Sequence, residues 1–172
     1  MTDTGDRFGD LLERLQQSGL EFIVCGGMAA VIHGVERTTL DLDISVSLRP
    51  SNIPNLVRAA EASGLVPRVP VDPFMLGDAD TLHMMIHEKQ AIVFTFIHPK
   101  DPFIHLDVFL VPELRYENLV DYSEIHSFRN NPLRVLSAQK LLELKESIDP
   151  PRPKDLMDIL VLREIVKHEQ NG

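Results

Sequence analysis

Aromatic residues, cysteine and positive charge are all scarce in this chain. Its 172 residues include no tryptophan, two tyrosines and eight phenylalanines. Single-stranded nucleic acids are gripped by stacking on aromatic side chains, so no obvious aromatic-lined groove is expected. The 17 Lys and Arg stand against 26 Asp and Glu, a net charge of −9. Phosphate backbones are held by clustered cations, so tight general nucleic-acid binding is not expected. The one cysteine, Cys25, has no partner for an internal disulfide. Its apolar flank, Phe22-Ile23-Val24, reads as a buried strand in a reducing compartment. No apolar run approaches the roughly 20 residues that span a bilayer. The opening MTDTGDRFGD is polar and acidic, unlike a signal peptide. The expected setting is the cytoplasm, with no membrane partner. What is present is ordinary for one globular domain: 44% hydrophobic and 25% charged residues.

Periodicity divides the chain into elements. Phe8, Leu11, Leu12 and Leu15 recur at helical spacing within residues 5–18. Phe22–Cys25 has strand length, and Gly26-Gly27 interrupts it. Residues 28–33 then read as a small, buried helix. Asp41–Ser47 alternates strictly, with Asp41, Asp43, Ser45 and Ser47 on one face and Leu42, Ile44 and Val46 on the other. Ser51 reads as the N-cap of a helix burying Ile53, Leu56, Val57 and Ala60, closed by Ser63-Gly64. Residues 66–80, with Pro67, Pro70 and Pro73, read as irregular loop. Leu82–His87, Ala91–Ile97 and Phe103–Val111 are β-like, the last two joined by a hairpin at residues 98–102. Residues 113–131 carry no assignable pattern. Ser137 caps a helix to about Ser147, and Pro153 opens a last one to about His168. The expected fold is α/β (α+β): an α/β core over residues 1–112, then a connecting segment and C-terminal helices over 113–172, packed on the core.

The informative stretch is FIVCGGMAAVIHGVERTTLDLDISV. A strand ends in Gly26-Gly27, which opens a helix. Glycines allow tight turning and close approach of a ligand, and a helix start favours an anion such as phosphate. Thirteen residues separate Gly27 from Asp41. Asp41 and Asp43 then share one strand face, about 7 Å apart. Like charges so close repel unless a cation sits between them. Oxygen donors without nearby Cys or His ligands point to Mg²⁺ or Mn²⁺. Asp107 lies in the otherwise apolar strand Ile104–Leu110, where a shared metal would explain it.

These residues, in this order, resemble the nucleotidyltransferase superfamily of the DNA polymerase β type. Ala29, His33, Gly34, Arg37 and Thr39 make the stretch similar to a small bacterial and archaeal branch that includes AbiEii-type toxins. The later segment Arg152–Leu162, RPKDLMDILVL, is similar to a C-terminal segment of that branch. The resemblance implies a mixed sheet flanked by helices, with a helical C-terminal part. It implies that Asp41, Asp43 and Asp107 are catalytic and hold two Mg²⁺ (or Mn²⁺) ions, with Asp41 and Asp43 bridging both. It implies NMP transfer from an NTP to a hydroxyl or phosphate acceptor, with pyrophosphate release. Gly26 and Gly27 would hold the β- and γ-phosphates. A tRNA, a protein or a small molecule all remain open as acceptor. So does a different class of function: a non-catalytic nucleotide- or partner-binding module, such as one half of a toxin–antitoxin pair with an antitoxin-like partner.

The triphosphate also needs positive charge. Residues 129–154 carry Arg129, Arg134, Lys140, Lys145, Arg152 and Lys154, a local net of +3 in this acidic chain. Ser137 and Lys140, on the first turn of a helix, place a hydroxyl and an ammonium for one phosphate. They read equally as an N-cap and a solvated lysine. Arg37, just ahead of the aspartate pair, is a further candidate phosphate ligand, or else the partner of a nearby acid. His33 reads as a hydrogen-bonded core residue, and His105 shares the Asp107 face. Lys154 and Asp155 fit a solvated helix start. Asp107→Asn is expected to abolish nucleotidyl transfer while sparing the fold, read by a transfer assay beside circular dichroism. Retained turnover would move the third carboxylate to Asp78 or Asp80.

Overall fold

The computed structural model describes residues 4–172, with side chains from Phe8 onward. The first three residues of the polar opening lie outside the described residues. Among the described residues seven α-helices, α1 (Thr4–Gln17), α2 (Gly26–Ile32), α3 (Ile53–Ala62), α4 (Ala79–His83), α5 (Tyr116–Leu119), α6 (Ala138–Glu146) and α7 (Pro153–Asn171), accompany a seven-stranded sheet. Its strands are β1 (Phe22–Val24), β2 (Asp41–Val46), β3 (Val66–Pro67), β4 (Val93–His98), β5 (Asp101–Phe109), β6 (Ser123–Phe128) and β7 (Asn131–Leu136). Their order across the sheet is β3-β4-β5-β2-β1-β7-β6. The β2–β5 and β1–β7 pairs are parallel and the others antiparallel. The sheet is mixed and flanked by helices, as expected. No described helix is long and apolar enough to cross a membrane.

The sequence periods become buried faces. Phe8, Leu11, Leu12 and Leu15 of α1 are buried, and α1 packs on α3. Leu42, Ile44 and Val46 of β2 are fully buried, so the alternation reads correctly. The opposite face is more varied. Asp41 and Asp43 are half-buried, but Ser45 and Ser47 are wholly buried. The segment around α5 covers them. The Ser45 hydroxyl donates to the Leu114 carbonyl at 2.6 Å, and that of Ser47 bonds Glu117. One strand face is thus sealed at one end and open at the other, where the aspartates stand.

Three expectations are corrected. Leu82–His87 is helical, not a strand. Asp78 accepts from the Thr81 N–H at 2.8 Å and starts α4, which widens into a π-turn over Met84–Glu88. Leu82 and Met85, three apart, are the buried residues there, so Met84-Met85 is not a strand core. The N-cap of α3 is Asn52 rather than Ser51. The part after residue 112 holds strands as well as a connecting segment and helices. Residues 113–136, largely patternless in sequence, form α5 and the β6–β7 hairpin, and β7 joins the sheet beside β1 through Val24 opposite Val135. The sheet therefore draws strands from both sides of residue 112. The β4–β5 hairpin and the helix capped by Ser137 stand as expected.

Asn52 ties the start of α3 to the residues that flank β1 and β2. Its buried amide donates to the Ser47 carbonyl at 2.8 Å and the Glu21 carbonyl at 3.3 Å, and accepts from the Glu21 N–H at 3.1 Å. Asn52→Ala strips these partners from buried backbone. It is expected to lower stability by about 1–3 kcal/mol in urea unfolding, whereas Ser51→Ala leaves the midpoint nearly unchanged.

Candidate active site

Parallel pairing sets Asp41 opposite His105 and Asp43 opposite Asp107. All four share one sheet face, since side chains two apart on a strand point the same way. Asp41, Asp43 and Asp107 each offer a carboxylate oxygen, and these oxygens lie within 4.8 Å of one another. Two threonines orient the outer members. Thr39 donates to an Asp41 carboxylate oxygen at 3.1 Å, and Thr95, opposite Asp107 on β4, donates to Asp107 at 2.5 Å. Burial pushes the Asp43 carboxyl up from its ordinary 3.8 to about 7, and repulsion from Asp41 and Asp107 adds to it. Lys154 and Lys145 pull it back only in part.

The double glycine adjoins this cluster. Gly26 has φ +56°, a left-handed conformation that suits glycine. A Cβ there would stand 2.0 Å from an Asp43 carboxylate oxygen, so only glycine lets the turn pass. A Cβ on Gly27 would meet Thr39 Oγ1 at 3.0 Å and the Arg37 guanidinium carbon at 3.3 Å. Gly26, Gly27, Arg37, Asp41, Asp43 and Asp107 are therefore neighbours. Ser137 and Lys140 have partners of their own. The Ser137 hydroxyl accepts from the Lys140 N–H at 3.2 Å, and the Lys140 ammonium lies 3.4 Å from Glu143 and 4.6 Å over the Tyr122 ring. Cys25 is buried, and burial, with Asp43 next to it, pushes its thiol far above the ordinary value, unlike a nucleophile. Asp78 is committed to capping α4.

Sequence reasoning missed the support behind Arg37. Asp155 and Asp158 of α7 are fully buried, not a solvated helix start. Lys145 of α6 reaches Asp155 at 3.0 Å and Asp158 at 2.9 Å. Arg152 holds Asp155 at 2.5 Å, and Arg37 holds Asp158 at 2.6 Å. Burial pushes the Asp155 carboxyl up, but hydrogen bonds from Arg152 and Lys145 outweigh it and leave its pKa below the ordinary value. The available signal was the Asp155-x-x-Asp158 spacing, which puts two acids on the side of α7 that also buries Ile159 and Leu162. Thr95 could have been found by counting back across the β4–β5 hairpin. A cleft of about 430 Å³ opens by Leu20, Phe22 and Arg134, and none of the three carboxylates lines it.

The raised Asp43 carboxyl carries a pH dependence. Unfolded, Asp43 loses its proton near 3.8; folded and metal-free, near 7. Between these values the folded chain binds more protons, so stability falls as pH rises. The loss is complete above about 7 and absent below about 4. Asp43→Asn is expected to remove this component. Metal-free variant should exceed metal-free wild type by roughly 2–4 kcal/mol above neutrality and match it near pH 4, read by urea unfolding. Excess Mg²⁺ should shrink the gap.

The sequence matches no family model and no curated protein. Its fold does match solved structures. The lincosamide antibiotic adenylyltransferase LnuA, crystallised with lincomycin bound, superposes with a TM-score of 0.63 at 15% identity, over 94% of this chain and 98% of that one. The antibiotic-resistance factor ANT(2'')-Ia, solved in solution, superposes with a TM-score of 0.56 at 14% identity, over 99% of this chain and 95% of that one. Both neighbours belong to the nucleotidyltransferase superfamily, and the likeness, with a sheet that gathers Asp41, Asp43 and Asp107, gives this chain the nucleotidyltransferase fold.

Proposed function

We propose that the chain is a divalent-metal-dependent nucleotidyltransferase that moves an NMP from an NTP to a hydroxyl group of a small molecule, releasing pyrophosphate. One observation carries the reading: three carboxylates converge within 4.8 Å beside the Gly26-Gly27 turn. Their donor set, all hard oxygen, fits Mg²⁺ or Mn²⁺. Burial, with repulsion from Asp41 and Asp107 added to it, raises the Asp43 pKa, and a cation at the cluster would favour the charged carboxylate. When bound there, such an ion supplies Lewis-acid chemistry, easing loss of the acceptor's proton and neutralising charge on the triphosphate.

The chain's own residues bind and orient. Thr39 and Thr95 stop the Asp41 and Asp107 carboxylates from rotating. The Gly26-Gly27 turn lets phosphate oxygens approach backbone N–H groups without steric conflict. Arg37, fixed by Asp158, keeps a guanidinium beside Gly27 for a phosphate oxygen. In the reaction the acceptor oxygen bonds to the α-phosphorus as the α–β bridging P–O bond breaks, in line. A small-molecule acceptor is favoured by the net charge of −9, which disfavours a polyanion. The neighbours, an antibiotic adenylyltransferase and an antibiotic-resistance factor, support the same choice.

The test incubates each α-labelled NTP and Mg²⁺ with aminoglycosides, lincosamides, tRNA and cell protein in separate reactions. Label is expected on a small molecule, and Asp43→Ala should lose about 10³-fold or more in turnover, the equivalent of several kcal/mol of charge stabilisation. Equal calorimetric heats for Mn²⁺-NTP in wild type and Asp43→Ala would remove the site. Metal-dependent NTP binding with no transfer in any reaction would favour the non-catalytic binder, including a toxin–antitoxin component. Label on tRNA or protein would correct the acceptor alone.

A further inference from the structure

A second cluster of ligand-bearing side chains stands away from the carboxylates, where the far end of α2 meets the edge strand β6. His33 caps the C-terminus of α2, and Glu124 and His126 project from one face of β6, two residues apart. The three offer ligand atoms within 4.8 Å of one another. His33 Nδ1 lies 3.8 Å from Glu124 Oε1, and His126 Nε2 lies 2.7 Å from the same oxygen. The two imidazole rings meet edge to face, 5.2 Å between centroids.

His33 is already oriented as a metal ligand would be. Its side chain is only 3% exposed, and its Nε2 lies 2.7 Å from the Leu136 carbonyl on β7. A carbonyl only accepts, so the proton of neutral His33 is on Nε2. That leaves the Nδ1 lone pair directed at Glu124. Histidines that bind metals characteristically donate their other N–H to a carbonyl or carboxylate in this way. The side chains of Glu124 and His126 are 44% and 30% exposed, so they are able to adjust. Ligand atoms around a tetrahedral zinc ion stand roughly 3.4 Å apart, given bonds of about 2.0–2.1 Å. The His33–Glu124 distance needs to close by about 0.4 Å and the His126–Glu124 distance to open by about 0.7 Å. Both changes fall on the side chains of Glu124 and His126, which are more exposed than His33.

We propose that His33, Glu124 and His126 form a binding site for a first-row divalent transition metal of the zinc class. The site docks the β6–β7 hairpin on the end of α2 and leaves a fourth position for water or a further ligand. Two imidazoles and one carboxylate suit zinc, whereas the all-oxygen set of Asp41, Asp43 and Asp107 suits magnesium. The two sites are separated by donor chemistry as well as by the length of α2, about 10 Å at 1.5 Å per residue. This inference does not depend on the proposed transferase activity.

The test uses the full chain carrying Asp43→Asn, stripped of metal and held in excess Mg²⁺ to silence the carboxylate set. Zn²⁺ is titrated by competition with a chromophoric chelator, and Co²⁺ is followed by its visible absorption. One equivalent should bind, with the intense bands of four-coordinate Co²⁺ and a Zn²⁺-dependent rise in the unfolding temperature. Adding His126→Ala or Glu124→Gln removes a direct ligand, so it should weaken binding by more than the about 10-fold to 100-fold that losing a ligand's hydrogen-bond partner costs, and shrink the rise. Both positions are on an edge strand, and Glu124→Gln keeps shape and size. Urea midpoints in chelator then check that folding is unchanged. Absence of stoichiometric binding, or equal affinity with and without these substitutions, would overturn the proposal.

Discussion

Parallel register between β2 and β5 sets Asp43 directly across from Asp107, and the rest of the site answers to that adjacency. Neighbouring strands lie about 4.8 Å apart, too close for two carboxylates to keep separate hydration shells. Asp41 adds a third charge from the same face. Hydrogen-bond donors relieve two of the three: Thr39 serves Asp41 and Thr95 serves Asp107. Neither hydroxyl reaches Asp43, which abuts Gly26 instead. Asp43 therefore concentrates the strain of the arrangement, and a proton or a cation relieves it. The left-handed glycine belongs to the same constraint, because any side chain at residue 26 would occupy the space of the Asp43 carboxylate.

The C-terminal helices act on this site electrostatically. Burying two aspartates is costly unless they are paired and hydrogen-bonded. Asp155 and Asp158 are held by Lys145, Arg152 and Arg37, so three cations meet two anions. Positive charge here is felt across the gap: Lys145 of this network and Lys154 both pull Asp43 toward its charged form. Arg37 also links the loop before β2 to α7. Guanidinium and carboxylates therefore belong to one charge arrangement drawn from both ends of the chain.

Much of this was legible in the sequence, and what was not has particular causes. DLDISV alternates because one face of β2 meets the core, so Asp41 and Asp43 had to share the other. Gly26-Gly27 announced its turn for the same steric reason that the structure displays. The β6–β7 hairpin escaped because its signals are weak. β6 is an edge strand reading Ser-Glu-Ile-His-Ser-Phe, with little apolar alternation. Its turn uses Arg129 and Asn130 at positive φ, without the glycine that usually marks such a loop. Leu82–His87 misled for the opposite reason: a dense apolar run fits strand and helix alike, and the Asp78 cap decides. Asp155 and Asp158 are acids inside a helix, where solvent exposure is the ordinary expectation. Only the third dimension brings Lys145 and Arg37 to them.

The scarcity of positive charge now has a spatial meaning. Several of the few cations are not on a surface available to polyanions. Lys145 is buried, and Arg37 and Arg152 are paired to buried acids. Arg129 is held by Asp10 and Glu13 on α1. The basic stretch at residues 129–154 is therefore not one continuous patch, since its members serve the α1 contact, the Lys140–Tyr122 contact and the α6–α7 network separately. A groove that tracks a nucleic-acid backbone needs cations in series. These cations are dispersed, and those nearest the carboxylates are arranged around a single compact site. That arrangement suits one small, highly charged ligand.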